Sequence, residues 1–386
     1  MRNSADVVII GAGIVGASIA WHLAEAGCGK VLLLEKERHQ GQGSTGKSMG
    51  GVRAQFATDA NIRMSLHSVP LFAAFEERLG HPSGYRPQGY LFLATQPAHL
   101  CYLQRNVQRQ QALGLQQVSM ISAAEAAELA PGVRVDDVLG ASFCATDGFV
   151  DPHSIMQGFT LRARDKGVEL RKNIQITGIE TDSSGVAGVN TSEGFTPTRV
   201  IVNAAGPSAA AVAALAGIDL PVRPLRRMLV PTEACPQLPR TLPMVVDMST
   251  GFHFRPETLG VLMAWNDPDE EFSENTEFDP AFIEKILDRA VNRVPALADV
   301  PVNPKRAWAG LYEVSPDHHA ILGEAPGVPG FYLANGFSGH GVMHSPATGH
   351  ILSDLILKGK SDLLDWNVLG LNRFTTGRTL EESSVL

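Results

Sequence analysis

Gly11-Ala12-Gly13-Ile14-Val15-Gly16 lets a backbone turn tightly and approach a pyrophosphate closely. A helix starting there adds free N–H groups and the positive end of its dipole. Glu35 follows about 20 residues on, where a carboxylate accepts hydrogen bonds from a ribose hydroxyl. A second pattern, Gly41-Gln42-Gly43-Ser44-Thr45-Gly46-Lys47-Ser48, matches the phosphate loop GxxxxGK[ST] letter for letter. Nucleoside triphosphate hydrolysis is therefore a rival chemistry. A third loop, Gly336-Phe337-Ser338-Gly339-His340-Gly341, suggests backbone pressed against a planar ligand. His340 stands where a GxSxG nucleophile elbow needs its last glycine, so no hydrolase is implied. His340 and His344 are four apart, but no nearby carboxylate completes a ligand set and no metal is expected.

The elements that must position these residues are legible around them. Val7-Val8-Ile9-Ile10 and Val31-Leu32-Leu33-Leu34 are short apolar runs that predict buried strands. Between them Ile14 to Glu25 has helical spacing, so strand, glycine turn, helix, strand and acid follow in the order that dinucleotide binding requires. The phosphate-loop pattern lacks such support: Met49-Gly50-Gly51 follows it, and two glycines cost a helix interior roughly 2 kcal/mol against alanine. Helices are predicted over 61–79, 98–113, 122–129, 154–166, 209–215 and 346–358. Ser122 and Glu125 form a capping box. Strands are predicted over 89–95, 168–170, 174–179, 200–203 and 331–334. From 221 to 311 the texture is short strands, many prolines and acidic loops, which predicts a separate antiparallel region.

The chain has 386 residues, enough for two or three domains' worth of core. Hydrophobic content of 44% and charged content of 19% suit a globular protein. A net charge of -8 argues against nucleic acid or an anionic membrane as partner. The basic pair Arg226-Arg227 reads as solvated surface. Cys28, Cys101, Cys144 and Cys235 are far apart and form no CxxC pair, which fits a reducing, cytoplasmic setting. The first strand begins by Val7, so no secretory leader is expected. No stretch approaches the ~20 apolar residues of a membrane span.

Taken together, Val8 to Glu35, Gly43 to Phe56, Gly89 to Leu93, Asp147-Gly148 with Asp151-Pro152, Val202-Asn203-Ala204, Trp308-Ala309-Gly310 with Pro316-Asp317, and Gly336 to Gly341 carry a resemblance. The chain resembles the D-amino-acid-oxidase-type flavoprotein family over nearly its whole length. Within it, the chain is most similar to the β-subunits of L-proline dehydrogenase and heterotetrameric sarcosine oxidase. The resemblance implies an α/β fold, α+β overall. A Rossmann-like FAD-binding domain (1–85, 145–220 and 320–375) would be interrupted by a substrate domain (86–144 and 221–319) on a mostly antiparallel sheet. It implies FAD-dependent oxidation of a small amino acid or N-alkyl amino acid, giving an imine that hydrolyses. An alternative is a flavin-binding subunit of a larger amine dehydrogenase complex, with a second subunit or electron-acceptor protein as partner.

The resemblance also implies roles. Gly11, Gly13, Ile14, Val15 and Gly16 would hold the pyrophosphate. Glu35 and Lys36 would lie at the adenosine ribose, with the Ile174 backbone beside the adenine. Ser44 and Thr45 would line the pyrophosphate and ribityl region. Gly50, Gly51, Ala205 and Gly206 are further cofactor contacts. Gly336, Phe337, Ser338, Gly339, His340 and Gly341 would run along the flavin. Arg53 would pair with the substrate carboxylate through two parallel hydrogen bonds. Tyr312 would contact substrate, and His340 counts among the catalytic candidates. Gly310 stands where monomeric sarcosine oxidases attach FAD to a cysteine, so the FAD is expected to be non-covalent. Met343 replaces a second carboxylate-binding lysine. Leu262 stands near the place of the family oxidases' oxygen-activating lysine, so oxygen is expected to be a poor electron acceptor.

Overall fold

The computed structural model describes residues 4–380 and rests on two large sheets. The first has six strands in the order Ile321–Glu324, Phe331–Asn335, Ile201–Asn203, Val7–Ile10, Val31–Leu34 and Glu169–Arg171. All neighbours are parallel except the first pair. Val7–Ile10 lies at the centre with all four residues buried. Successive side chains point to opposite faces. Val7, Ile9, Val31 and Leu33 join a core with the helices Ile14–Glu25, Pro152–Asp165 and Gly341–Lys358. Val8, Ile10, Leu32 and Leu34 pack instead with Ile179, Val186 and Val189 of a three-stranded sheet and with the helix Ala209–Ala214. A sheet covered on both faces explains why these strands read as unbroken apolar runs.

The second sheet has eight strands: Trp308–Val314, Arg223–Pro231, Gly260–Ala264, His253–Glu257, Met244–Asp247, Tyr90–Ala94, Gly140–Cys144 and Val118–Ile121. Only Met244–Asp247 and Tyr90–Ala94 pair in parallel. One face packs Leu91, Leu93, Val230, Val245, Phe254 and Met263 against Phe282, Ile286 and Ala290 of the helix Phe282–Arg293. The antiparallel texture expected for 221–311 is present, but that helix within it was not anticipated.

The last long helix begins at Gly341 rather than at Pro346. Proline cannot donate to the carbonyl four residues back. Here the Ser345 hydroxyl donates to the Val342 carbonyl at 2.9 Å, so the helix runs through. The capping box is formed as predicted: Ser122 Oγ accepts from Glu125 N–H, and Glu125 Oε2 accepts from Ser122 N–H at 2.8 Å. Among the described residues no helix is long and apolar enough to cross a membrane.

Candidate active site

The cofactor end is built at the crossing of two turns. Gly11 has φ +101°, and a Cβ there would overlap the Ala204 carbonyl. A Cβ on Gly16 would overlap the Gly11 carbonyl, so this glycine serves helix–strand contact and does not line the cavity. Glu35 closes its strand by accepting from Ala12 N–H at 3.1 Å and from Glu37 N–H at 3.0 Å, one on each oxygen. Each oxygen keeps a lone pair for a hydroxyl. Ile174 N–H donates to the Glu35 carbonyl at 2.9 Å, which brings Ile174 to the same wall. Lys36 Nζ donates to Ser208 Oγ at 3.1 Å, next to Gly206.

The loop 41–48 forms the middle of the site. Its helix is a single turn, Ser44–Lys47, and Ser48 is already extended. A phosphate loop needs a continuing helix there, so that chemistry is excluded by geometry. Thr45 Oγ1 instead accepts from Ile14 N–H at 3.0 Å, tying this loop to the first glycine turn. Ser44 Oγ donates to the Leu311 carbonyl at 2.6 Å, and Trp308 Nε1 donates to the Lys47 carbonyl at 2.9 Å. Gly310 permits this approach, since a Cβ there would press on the Lys47 side chain.

At the far end lie the expected substrate residues. Arg53 follows the strand Gly51–Val52 and is only 3% exposed, which rules out a surface role. Its guanidinium lies 3.9 Å over the Phe56 ring and 3.5 Å from His340 Nε2. Burial, then the charge of Arg53, holds the His340 ring well below its ordinary value, so it is neutral at physiological pH. His344 is likewise neutral, pushed down to about 3 by burial, and its Nε2 lies 3.1 Å from Ser65 Oγ. Among the described residues no cluster could hold a metal ion. Tyr312 packs against Gly339, where φ is +100° and a Cβ would press on the phenol ring.

These residues line one cavity of about 800 Å³, which runs from Glu35 and Ile174 past Gly13 and Thr45 to Arg53, Tyr312 and His340. Val15, Lys36, Gly51, Ala205, Gly206, Gly310, Phe337, Gly339 and Gly341 line it too. Gly50, Gly336 and Ser338 do not. Gly50 has φ +74° and turns the chain against the Val150 carbonyl. Gly336, with φ +71°, packs on Ser315. Ser338 is fully buried at φ +52° and hydrogen-bonds Ser315 N–H and the Gly336 carbonyl, so it braces the loop from behind.

His253 also lines the cavity, and four lining residues escaped the sequence reading: Tyr90, Arg227, Trp265 and Glu313. Arg227, expected at the surface, lines the cavity instead. Adjacent strand residues face opposite ways, and only Arg226 pairs outward, with Glu270 at 3.0 and 3.1 Å. Burial, then nearby Arg53 and Arg227, pushes His253 down to about 4. Glu313 carries an oxygen, Oε2, shielded from solvent and without a partner. Burial raises this carboxyl to about 8.

The donor set fits FAD. A glycine turn too crowded for any side chain meets a helix N-terminus, a carboxylate with free lone pairs follows, and an elongated cavity leads on to cationic and aromatic groups.

Comparison with known proteins agrees with this geometry. The chain is 30% identical to FAD-dependent oxidoreductase domain-containing protein 1 of Bos taurus, covering 99% of this chain and 87% of that protein. It is 30% identical to mitochondrial dimethylglycine dehydrogenase of Rattus norvegicus, covering 98% of this chain but 46% of that protein. Its fold superposes on the crystal structure of L-proline dehydrogenase from P. horikoshii with a TM-score of 0.91 at 29% identity, covering 98% of this chain and all of the other. The family described as FAD dependent oxidoreductase matches residues 6–355, and the chain belongs to it as an FAD-dependent oxidoreductase.

Proposed function

We propose that this protein oxidises a small amino acid or N-alkyl amino acid at the carbon bearing the amine. Non-covalently held FAD supplies the hydride acceptor. The amine gives up a proton and its neighbouring carbon a hydride, and the resulting imine adds water and splits to a carbonyl compound and an amine. Residues 1–85, 145–220 and 320–375 hold the cofactor, and residues 86–144 and 221–319 shape the substrate pocket. The four free cysteines suit a reducing compartment.

The observation that carries this reading is Arg53. It is a buried guanidinium on the cavity wall, and among the described residues no carboxylate pairs with it within 4 Å. A buried cation calls for an anion, and a substrate carboxylate supplies one. Neutral His340 and the Tyr312 hydroxyl flank that position and can orient the amine. The likenesses to dimethylglycine dehydrogenase and L-proline dehydrogenase support the same class of substrate. The test is anaerobic mixing of the yellow holoenzyme with N-methylglycine, proline, glycine and N-carboxyalkyl amino acids. Bleaching of the flavin band by at least one is expected. Absence of bleaching by every amine would overturn the proposal.

A further inference from the structure

Arg53 is not the only cation on this cavity. Arg227 lies on the strand Arg223–Pro231, directly opposite Gly310 and two positions from Leu225, the partner of Tyr312. Its guanidinium carbon is 5.5 Å from the centre of the Tyr312 ring. Its Nη1 donates to the carbonyl of the preceding residue, Arg226, at 3.3 Å, a long bond. Its Nε is shielded from solvent and has no partner. Its neighbour Arg226 shows the contrast, since a bidentate pair with Glu270 uses that charge fully.

Two guanidiniums thus face one cavity, and among the described residues neither has a carboxylate within 4 Å. Both act on the same groups: their charges reach the Tyr312 hydroxyl and the His253 ring. Carboxylates exist nearby but leave the surplus uncancelled. Asp147, which acts on Arg53 from a distance, spends its two oxygens on Ala54 N–H and Gln55 Nε2. Asp267, whose field reaches Arg227, is paired with Lys285 at 2.7 Å. Glu274 and Glu313 also line the cavity. Two like charges in a partly dry site repel each other, and an orphaned buried donor costs free energy of its own. A ligand with a single carboxylate relieves one arginine and leaves the other. A ligand with two relieves both.

We infer that the substrate is an amine carrying two carboxylates, an N-carboxyalkyl amino acid or an acidic amino acid, with one carboxylate on Arg53 and the other on Arg227. This rests on the proposed amine oxidation, which assigns Arg53 the first carboxylate. The Arg227 interaction supplies the choice between substrates, because discrimination is strongest where a site group is left unpaired by the wrong ligand.

The test separates binding from chemistry. Oxydiacetate (an ether counterpart of iminodiacetate that cannot be dehydrogenated to an imine) and methoxyacetate are titrated into the holoenzyme by calorimetry. Oxydiacetate should bind at least about tenfold tighter. In Arg227→Met the ratio of the two dissociation constants should fall towards 1, and Arg227→Lys should restore part of it. Arg53→Leu should weaken both ligands. Equal affinities in the unaltered protein, or an Arg227→Met variant that keeps the full ratio, would overturn the inference. If the ratio behaves as expected while no amine bleaches the flavin, the two-anion site stands and the amine-oxidising proposal fails. If monocarboxylate amines bleach it as efficiently as dicarboxylate ones, the reverse holds.

Discussion

The Arg53 guanidinium and Nε2 of His340 meet at 3.5 Å across 287 positions of sequence. Arg53 is placed by the strand Gly51–Val52, which pairs with Gly148–Phe149. His340 immediately precedes the helix Gly341–Lys358. Burial first, and then the permanent cation beside it, keeps the His340 imidazole neutral, so the positive charge at this end of the cavity comes from arginine and not from histidine.

Arg53→Leu should raise KM for carboxylate-bearing amines while FAD stays bound. Truncating one partner of a charged pair in a partly dry site costs roughly 2–5 kcal/mol. Steady-state kinetics beside flavin absorbance reads both effects. Normal KM in the variant would remove Arg53 from substrate binding.

Glu35→Gln should weaken FAD binding by about tenfold or more, since a hydrogen bond to a charged group contributes roughly 1.5–3 kcal/mol. Its two oxygens also hold the N–H groups of Ala12 and Glu37. A glutamine has one acceptor oxygen to offer, so one of these loop contacts goes as well. Equilibrium dialysis of the flavin measures it, and an unchanged dissociation constant would move the ribose contact elsewhere.

FAD should come away without breaking a bond. Gly310 lies against the Lys47 side chain, with no nucleophilic sulfur at that position. The free thiols Cys144 and Cys235 are buried, and none of the four cysteines lines the cavity. Acid precipitation should leave the yellow colour in the supernatant; colour held in the pellet would show a covalent link.

Glu313 makes stability depend on pH. Unfolded, it titrates near the ordinary carboxyl value of 4.5; folded, burial raises it to about 8. The folded chain holds that proton more tightly, so the contribution is complete at pH values below 4.5 and is lost as pH rises to about 8. Glu313→Gln has no proton to lose. Its Tm should therefore improve relative to the unaltered protein as pH climbs through this window, as scanning calorimetry can follow. A Tm difference that stays flat with pH would contradict this.

Arg373 and Asp317 form a buried pair, 1% and 3% exposed, with contacts of 2.8 and 2.9 Å. Arg373 also holds the His319 carbonyl at 3.0 Å and so ties the chain end to the strand pair beside the glycine loop. Removing one partner of a buried pair costs roughly 3–5 kcal/mol. Arg373→Leu should lower the urea midpoint accordingly, and a midpoint within error of the unaltered protein would show the pair to be idle.

Much of the nucleotide-binding half was legible because its signals are local. The runs Val7–Ile10 and Val31–Leu34, the glycine turn and the capping box at Ser122 each depend on a few neighbouring residues. The family resemblance extended this to Arg53, Tyr312 and the loop 336–341, and the cavity brings Arg53, Tyr312 and His340 together. The start of the last helix was missed because Pro346 signals a boundary, whereas the Ser345 hydroxyl supplies the missing donor.

By itself, then, the sequence determined the dinucleotide turn, its acid and most of the elements around them. Tertiary structure alone decided that Ser338 braces the loop from behind while Gly339 faces the cavity, and that Arg226 points to Glu270 while Arg227 points inward. For the two arginines the reason is the two-residue period of a strand. Which of two adjacent side chains faces inward is set by register, and the register of Arg223–Pro231 is set by Trp308–Val314, some 80 residues away, and by Gly260–Ala264.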